Sequence, residues 1–86
     1  DEMQEIDMDA VKYKLGKLLR HMDSQIFIAD IDEHYGGESY TITFQRGYHT
    51  YTLELDSERF ADWFADDEIP PDMEHTIRDI TEELSN

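Results

Sequence analysis

Tyr40-Thr41-Ile42-Thr43-Phe44-Gln45-Arg46-Gly47-Tyr48-His49-Thr50-Tyr51-Thr52-Leu53-Glu54-Leu55 is the stretch that decides the fold. Large or β-branched side chains fill it, and apolar and polar residues alternate on both sides of Arg46-Gly47. A period of two is the mark of a half-buried strand. The pattern predicts one strand over Tyr40–Gln45 and another over Tyr48–Leu55. Arg46-Gly47 is the tight connection between them, with Gly47 at positive φ, a region closed to most residues by their Cβ.

The same period extends upstream. Ile26 to Asp32 reads as a third strand, followed by a turn at His34-Tyr35-Gly36-Gly37. Both links are short. Parallel pairing needs a long crossover, so the three strands are expected as an antiparallel meander. Alternation assigns Phe27, Ala29 and Ile31 to the buried face, together with Tyr40, Ile42, Phe44, Tyr51, Leu53 and Leu55. Ile28, Asp30, Asp32, Thr41, Thr43, Tyr48, Thr50, Thr52 and Glu54 fall on the other face. That face is mostly polar, which predicts helices on one side of the sheet only.

The flanks supply those helices. Met8, Val11, Leu15, Leu18, Leu19 and Met22 recur at three- and four-residue spacing, with Asp7 or Asp9 placed to cap the start. Gly16 interrupts this pattern at a cost of up to ~1 kcal/mol relative to Ala. After the strands, Asp56 or Ser57 caps a short helix whose stripe is Phe60, Trp63 and Phe64. Asp66 to Pro71 breaks the chain. A last helix begins near Pro71 and carries Met73, Ile77, Ile80 and Leu84. The fold class is α+β: a three-stranded antiparallel meander with helices packed on one face, in the order α-β-β-β-α-α. Residues 1–86 make a single acidic domain, with 1–6 expected to fray.

Charge is the outstanding property of the composition. Twenty-two Asp and Glu face seven Lys and Arg, a net of −15. Direct nucleic-acid binding needs cations to neutralise phosphate, and an anionic membrane surface needs them too, so neither is expected. No cysteine is present, which excludes disulfides, thiolate nucleophiles and Cys-ligated zinc. No apolar run approaches a membrane span. A cytoplasmic setting fits these features, the host cytoplasm if the chain is phage-encoded.

The charge is unevenly spread. Four of the seven basic residues, Lys12, Lys14, Lys17 and Arg20, lie in the first helix, whereas Glu54 to Glu83 holds 12 acids against two arginines. Glu58, Asp62 and Asp66 recur every fourth residue, roughly 6 Å of helix rise per step. Asp67, Glu68 and Asp72 continue the run, and Asp79 and Glu83 form another i, i+4 pair. Phosphates along one DNA strand are separated by about 3.4 Å of axial rise. Carboxylates on a rigid rod at these spacings approximate an anionic track. Tyr48, among threonines, is the aromatic candidate for an interface.

Motifs for catalysis or metal binding fall short. Asp30, Asp32 and His34 form the best metal-like cluster. Read as a calcium loop, it has Tyr35 where glycine is required and Thr41 where a bidentate glutamate is required. His21, His34, His49 and His75 share no ligand spacing. Ser24, Ser39, Ser57 and Ser85 lie in turn, cap or tail contexts, with no G-x-S-x-G or P-loop. The chain is therefore read as a binding protein rather than an enzyme, with no cofactor and no metal.

In outline the size, acidity and element order resemble small phage-encoded inhibitors that imitate DNA, including certain anti-CRISPR and anti-restriction proteins. The resemblance carries no signature residues and transfers no site. It implies an acidic inhibitor that imitates DNA or RNA phosphates and blocks a basic site on a nucleic-acid-binding enzyme. Glu58, Asp62, Asp66, Asp67, Glu68, Asp72, Asp79, Glu83 and Tyr48 would be the contact residues. Two alternatives stand beside it. One is an acidic interaction or assembly module, such as an immunity-protein-like binder or an oligomer subunit, in which the basic first helix pairs with acids of a second copy as a homodimer. The other is a halophilic domain of unrelated function.

Overall fold

The computed structural model describes residues 7–65 and 67–85; the expected frayed segment 1–6 and Asp66 lie outside them. The alternating stretch forms the centre of the molecule. Strand β1 (Phe27–His34) pairs with β2 (Ser39–Arg46), and β2 pairs with β3 (His49–Asp56), all antiparallel and in the order β1-β2-β3. Helices α1 (Met8–Met22), α2 (Ser57–Phe64) and α3 (Pro71–Ser85) pack on one face of this sheet. The expected α-β-β-β-α-α meander is the observed architecture.

Local chemistry fixes the ends of these elements. The Asp7 carboxylate accepts from the Asp9 amide at 3.0 Å and caps α1, and Asp56 accepts from the Arg59 amide at 2.8 Å and caps α2. Gly47 sits at φ +62°, as the tight β2–β3 link requires. The β1–β2 turn is more unusual. Tyr35, Gly36 and Gly37 all have positive φ, and the amides of Gly37 and Glu38 both donate to the His34 carbonyl. The two glycines carry this path without strain, whereas Tyr35 adopts it at a steric cost.

The core is one cluster between sheet and helices. Ile42, Phe44 and Leu55 from the sheet meet Val11, Leu15 and Leu19 of α1, Phe60 and Trp63 of α2, and Met73, Ile77 and Ile80 of α3. Tyr40 stacks on Phe60, with ring centroids 3.7 Å apart and 11° between planes. Burial first, and the nearby Glu33 charge second, raise the Tyr40 phenol above its ordinary pKa.

One part of the expected face assignment is wrong. The β1–β2 register runs Phe27 to Gln45 and Ile28 to Phe44, then resumes at Asp30 opposite Thr43. Ala29 is a β-bulge, an extra residue that reverses which side chains face inward on either side of it. Ile28 and Ile31 therefore both pack against the core. Phe27 and Ala29, expected inside, are exposed, Phe27 by 51%. Ile26, just before the strand, is buried instead.

Candidate protein-binding surface

The expected contact residues divide by what they touch. Glu58 and Asp62 lie on α2, opposite Phe60, Trp63 and Phe64, and are exposed. Glu58 also sits in the first turn, where the helix dipole favours negative charge. Neither forms an ion pair with a described residue. Asp66, the third member of that stripe, lies outside the described residues. Asp67 and Glu68 are exposed in the α2–α3 connection, and Glu83 is exposed on α3. Glu82, which the sequence reading passed over, is exposed beside it.

Asp72 and Asp79, both in the expected set, have internal partners. Asp72 accepts a hydrogen bond from the indole Nε1 of buried Trp63 at 3.0 Å, and its carboxylate lies 3.6 Å from Arg59 Nε. The Trp63 hydrogen bond, ahead of the Arg59 charge, holds the Asp72 carboxyl below its ordinary pKa. Asp79 lies 3.5 Å from His75, one turn away on α3, an ion pair when that imidazole is protonated. Asp72 is thus part of the scaffold that positions α2 against α3.

Local arginines do not cancel the remaining charge. Arg46 pairs with Asp23 at 3.0 Å, Arg59 with Asp72, and Arg78 with Glu74 at 3.0 Å. Every arginine after Asp23 is thereby engaged within the chain. The Lys14 ammonium of α1 donates to the backbone carbonyls of Trp63 and Glu68. It satisfies the Trp63 carbonyl at the end of α2 and, through the Glu68 carbonyl, ties α1 to the α2–α3 connection. Sequence reasoning grouped Lys14 with its neighbours, because nothing local distinguishes a lysine that folds inward.

Tyr48 is in the β2–β3 turn rather than on the sheet face, and it is fully exposed. It sits at the opposite end of β3 from the first turn of α2, roughly 25 Å away at about 3.3 Å per residue. The structure does not bring Tyr48 and Glu58 into one patch.

The open sheet face carries Asp30, Asp32 and His34 along β1. His34 Nε2 is 2.8 Å from Thr41 Oγ1 on the neighbouring strand. Among the described residues no three His, Asp or Glu side chains group in a way that could hold a metal ion. An open depression of about 470 Å³ lies between the C-terminal ends of α1 and α3, lined by Met22, Asp23, Thr81, Glu82 and Ser85. The Thr81 and Ser85 hydroxyls donate to helix carbonyls at 2.7 and 2.8 Å. Among the described residues no helix is long and apolar enough to cross a membrane. No family model, curated protein or solved structure matches the chain.

Proposed function

We propose that this domain is an acidic inhibitor, which docks the carboxylates of α2 and the α2–α3 connection into the basic, nucleic-acid-binding cleft of another protein. The observation that carries the reading is the division of labour among the charges. Arg46, Arg59 and Arg78 are held by Asp23, Asp72 and Glu74, which leaves Glu58 and Asp62 exposed on a rigid helix and unpaired among the described residues. Carboxylates on a helix present a negative field from a backbone that is already ordered, and a cationic cleft is its complement. The partner is a basic protein; the chain itself has no phosphate-neutralising surface on this side.

The test starts from the immobilised domain and a nuclease-rich lysate. A captured protein should be released by added nucleic acid and by raised salt, because both remove the same charge attraction. Reversal of Glu58, Asp62 and Asp66 together to Lys should abolish capture and leave the circular dichroism spectrum unchanged. Capture that persists in the triple variant, or that nucleic acid does not compete, would refute the reading.

A further inference from the structure

The acidic surface has a counterpart on the same molecule. Helix α1 holds Lys12, Lys14, Lys17 and Arg20 against the single acid Asp9, a net of +3 in a chain of −15. Lys14 is turned inward onto the carbonyls of Trp63 and Glu68, but Lys12, Lys17 and Arg20 are exposed. Tyr13, Lys17 and Arg20 fall at i, i+4 and i+7, a single ridge on the side away from Val11, Leu15 and Leu18. Tyr13 is 65% exposed, and the Lys17 ammonium lies over its ring at 5.5 Å from the centroid. Tyr and Arg, one on each side of Lys17 along this ridge, are side chains enriched at protein interfaces.

Gly16 adds an independent observation. It lies one residue before Lys17 and three after Tyr13, in the middle of a 15-residue helix, where glycine is unfavourable. A Cβ built on it would meet nothing within 4 Å, and its φ is not positive. Neither packing nor backbone conformation within the chain calls for a glycine there. What a missing side chain does offer is a shallow place for the approach of another helix.

We infer that the Tyr13–Gly16–Lys17–Arg20 ridge of α1 is a docking surface for the acidic α2–α3 side of a second copy of this chain. The occupant follows from charge complementarity, since Glu58 and Asp62 are exposed acids on the same layer of helices with no ion pair to a described residue. That layer lies on one face of the sheet, so α1 and α2 both present their exposed sides away from it. A two-fold axis through the layer sets α1 of each copy on the acids of the other. Both contacts form twice and the assembly closes as a dimer. The pairing rests on this ridge and these acids of the same chain and stands whether or not the acids also engage a nucleic-acid-binding enzyme.

Net charge gives the dimer a particular salt response. Two bodies of −15 repel at long range, and this repulsion is screened once the Debye length falls to about 8–10 Å, near 0.1–0.15 M salt. Contact pairs persist there and weaken towards about 1 M, where the length is about 3 Å. Association should therefore be strongest at intermediate salt.

Sedimentation velocity on the full chain tests the inference. The expected result is a dimer at about 0.15 M NaCl that dissociates at about 1 M. Lys17→Glu with Arg20→Glu should leave only monomer, as should Glu58→Lys with Asp62→Lys. The four substitutions combined should restore the dimer, which general loss of structure would not do. Gly16→Gln, a good helix former that fills the gap, should give a folded monomer. A wild-type chain that stays monomeric at every salt concentration would overturn the inference, as would a dimer indifferent to Lys17→Glu with Arg20→Glu.

Discussion

Trp63→Phe separates the acids that build the fold from those left for a partner. Trp63 is completely buried, its Nε1 donates to Asp72 at 3.0 Å, and the Arg59 guanidinium lies 5.5 Å from its ring centroid. Phenylalanine keeps most of the apolar contact with Phe60 and Phe64 but has no N–H. The Asp72 carboxylate is about half exposed, so solvent screens part of this bond; its loss together with the cavity left by the smaller ring should cost on the order of 2 kcal/mol. For a domain of 86 residues, total stability is on the order of 4–13 kcal/mol at about 0.05–0.15 kcal/mol per residue. The melting temperature should fall by roughly 8 °C or more, at about 4–8 °C per kcal/mol for a domain this small. Trp63→Ala should cost about 3–5 kcal/mol, enough to unfold a domain at the low end of that range. Trp63 is the sole tryptophan, so melts are followed by far-ultraviolet circular dichroism. The decisive arm is a double-mutant cycle with Asp72→Ala. If the hydrogen bond is the cause, most of the Trp63→Phe penalty disappears once Asp72 is gone. Additive losses would refute the reasoning and return Asp72 to the acids free for a partner.

The remaining predictions concern pH, backbone, salt and metal. The Asp23 carboxyl is held below its ordinary pKa first by the Gln25 amide and then, against a desolvation penalty, by Arg46, and Asp72 is lowered by Trp63. A carboxyl with a depressed folded-state pKa stabilises above its unfolded value, near 3.8, and loses that contribution as pH falls through the folded value. The stability difference between wild type and Asp23→Ala should thus be full at neutral pH and close as urea melts are taken below about pH 4. Gly47→Ala at φ +62° should destabilise by about 1–2 kcal/mol, whereas Gly16→Ala should stabilise by up to ~1 kcal/mol; a urea series that reversed these signs would contradict the backbone argument. Melting in KCl should show a folded domain at ordinary ionic strength, and a need for molar salt would favour the halophilic alternative. Folding should survive excess EDTA, and its loss would make Asp30, Asp32 and His34 ligands.

Most of the fold was legible because each element has one dominant local signal. Tyr40–Gln45 and Tyr51–Leu55 each alternate cleanly, Gly47 marks the turn between them, and Asp7 and Asp56 cap the helices that follow them. The exception is Ile26-Phe27-Ile28-Ala29. All four are apolar, so alternation offers two phases and cannot choose between them. The choice is made by β2, whose Ile42 and Phe44 demand Ile31 and Ile28 opposite them on one face. These two are three residues apart, which only an extra residue at Ala29 allows. A period read along one strand has no access to that demand.

The acidic surface was legible as composition and illegible as roles. Asp62 and Asp72 are the same residue type in the same charge run, and both are exposed. They differ in what lies across a helix boundary: Asp72 has the Trp63 indole and Arg59 within reach, and Asp62 has neither. Lys14 and Lys17 divide in the same way, one directed onto the end of α2 and the other left on the ridge with Tyr13. In each pair the engaged member is the one whose partner across the fold is a buried or otherwise unsatisfied polar group. Such groups impose their cost on folding whether or not a binding partner exists. Glu58 and Asp62 on one side and Lys17 and Arg20 on the other meet no such demand: each is exposed and outside every ion pair among the described residues.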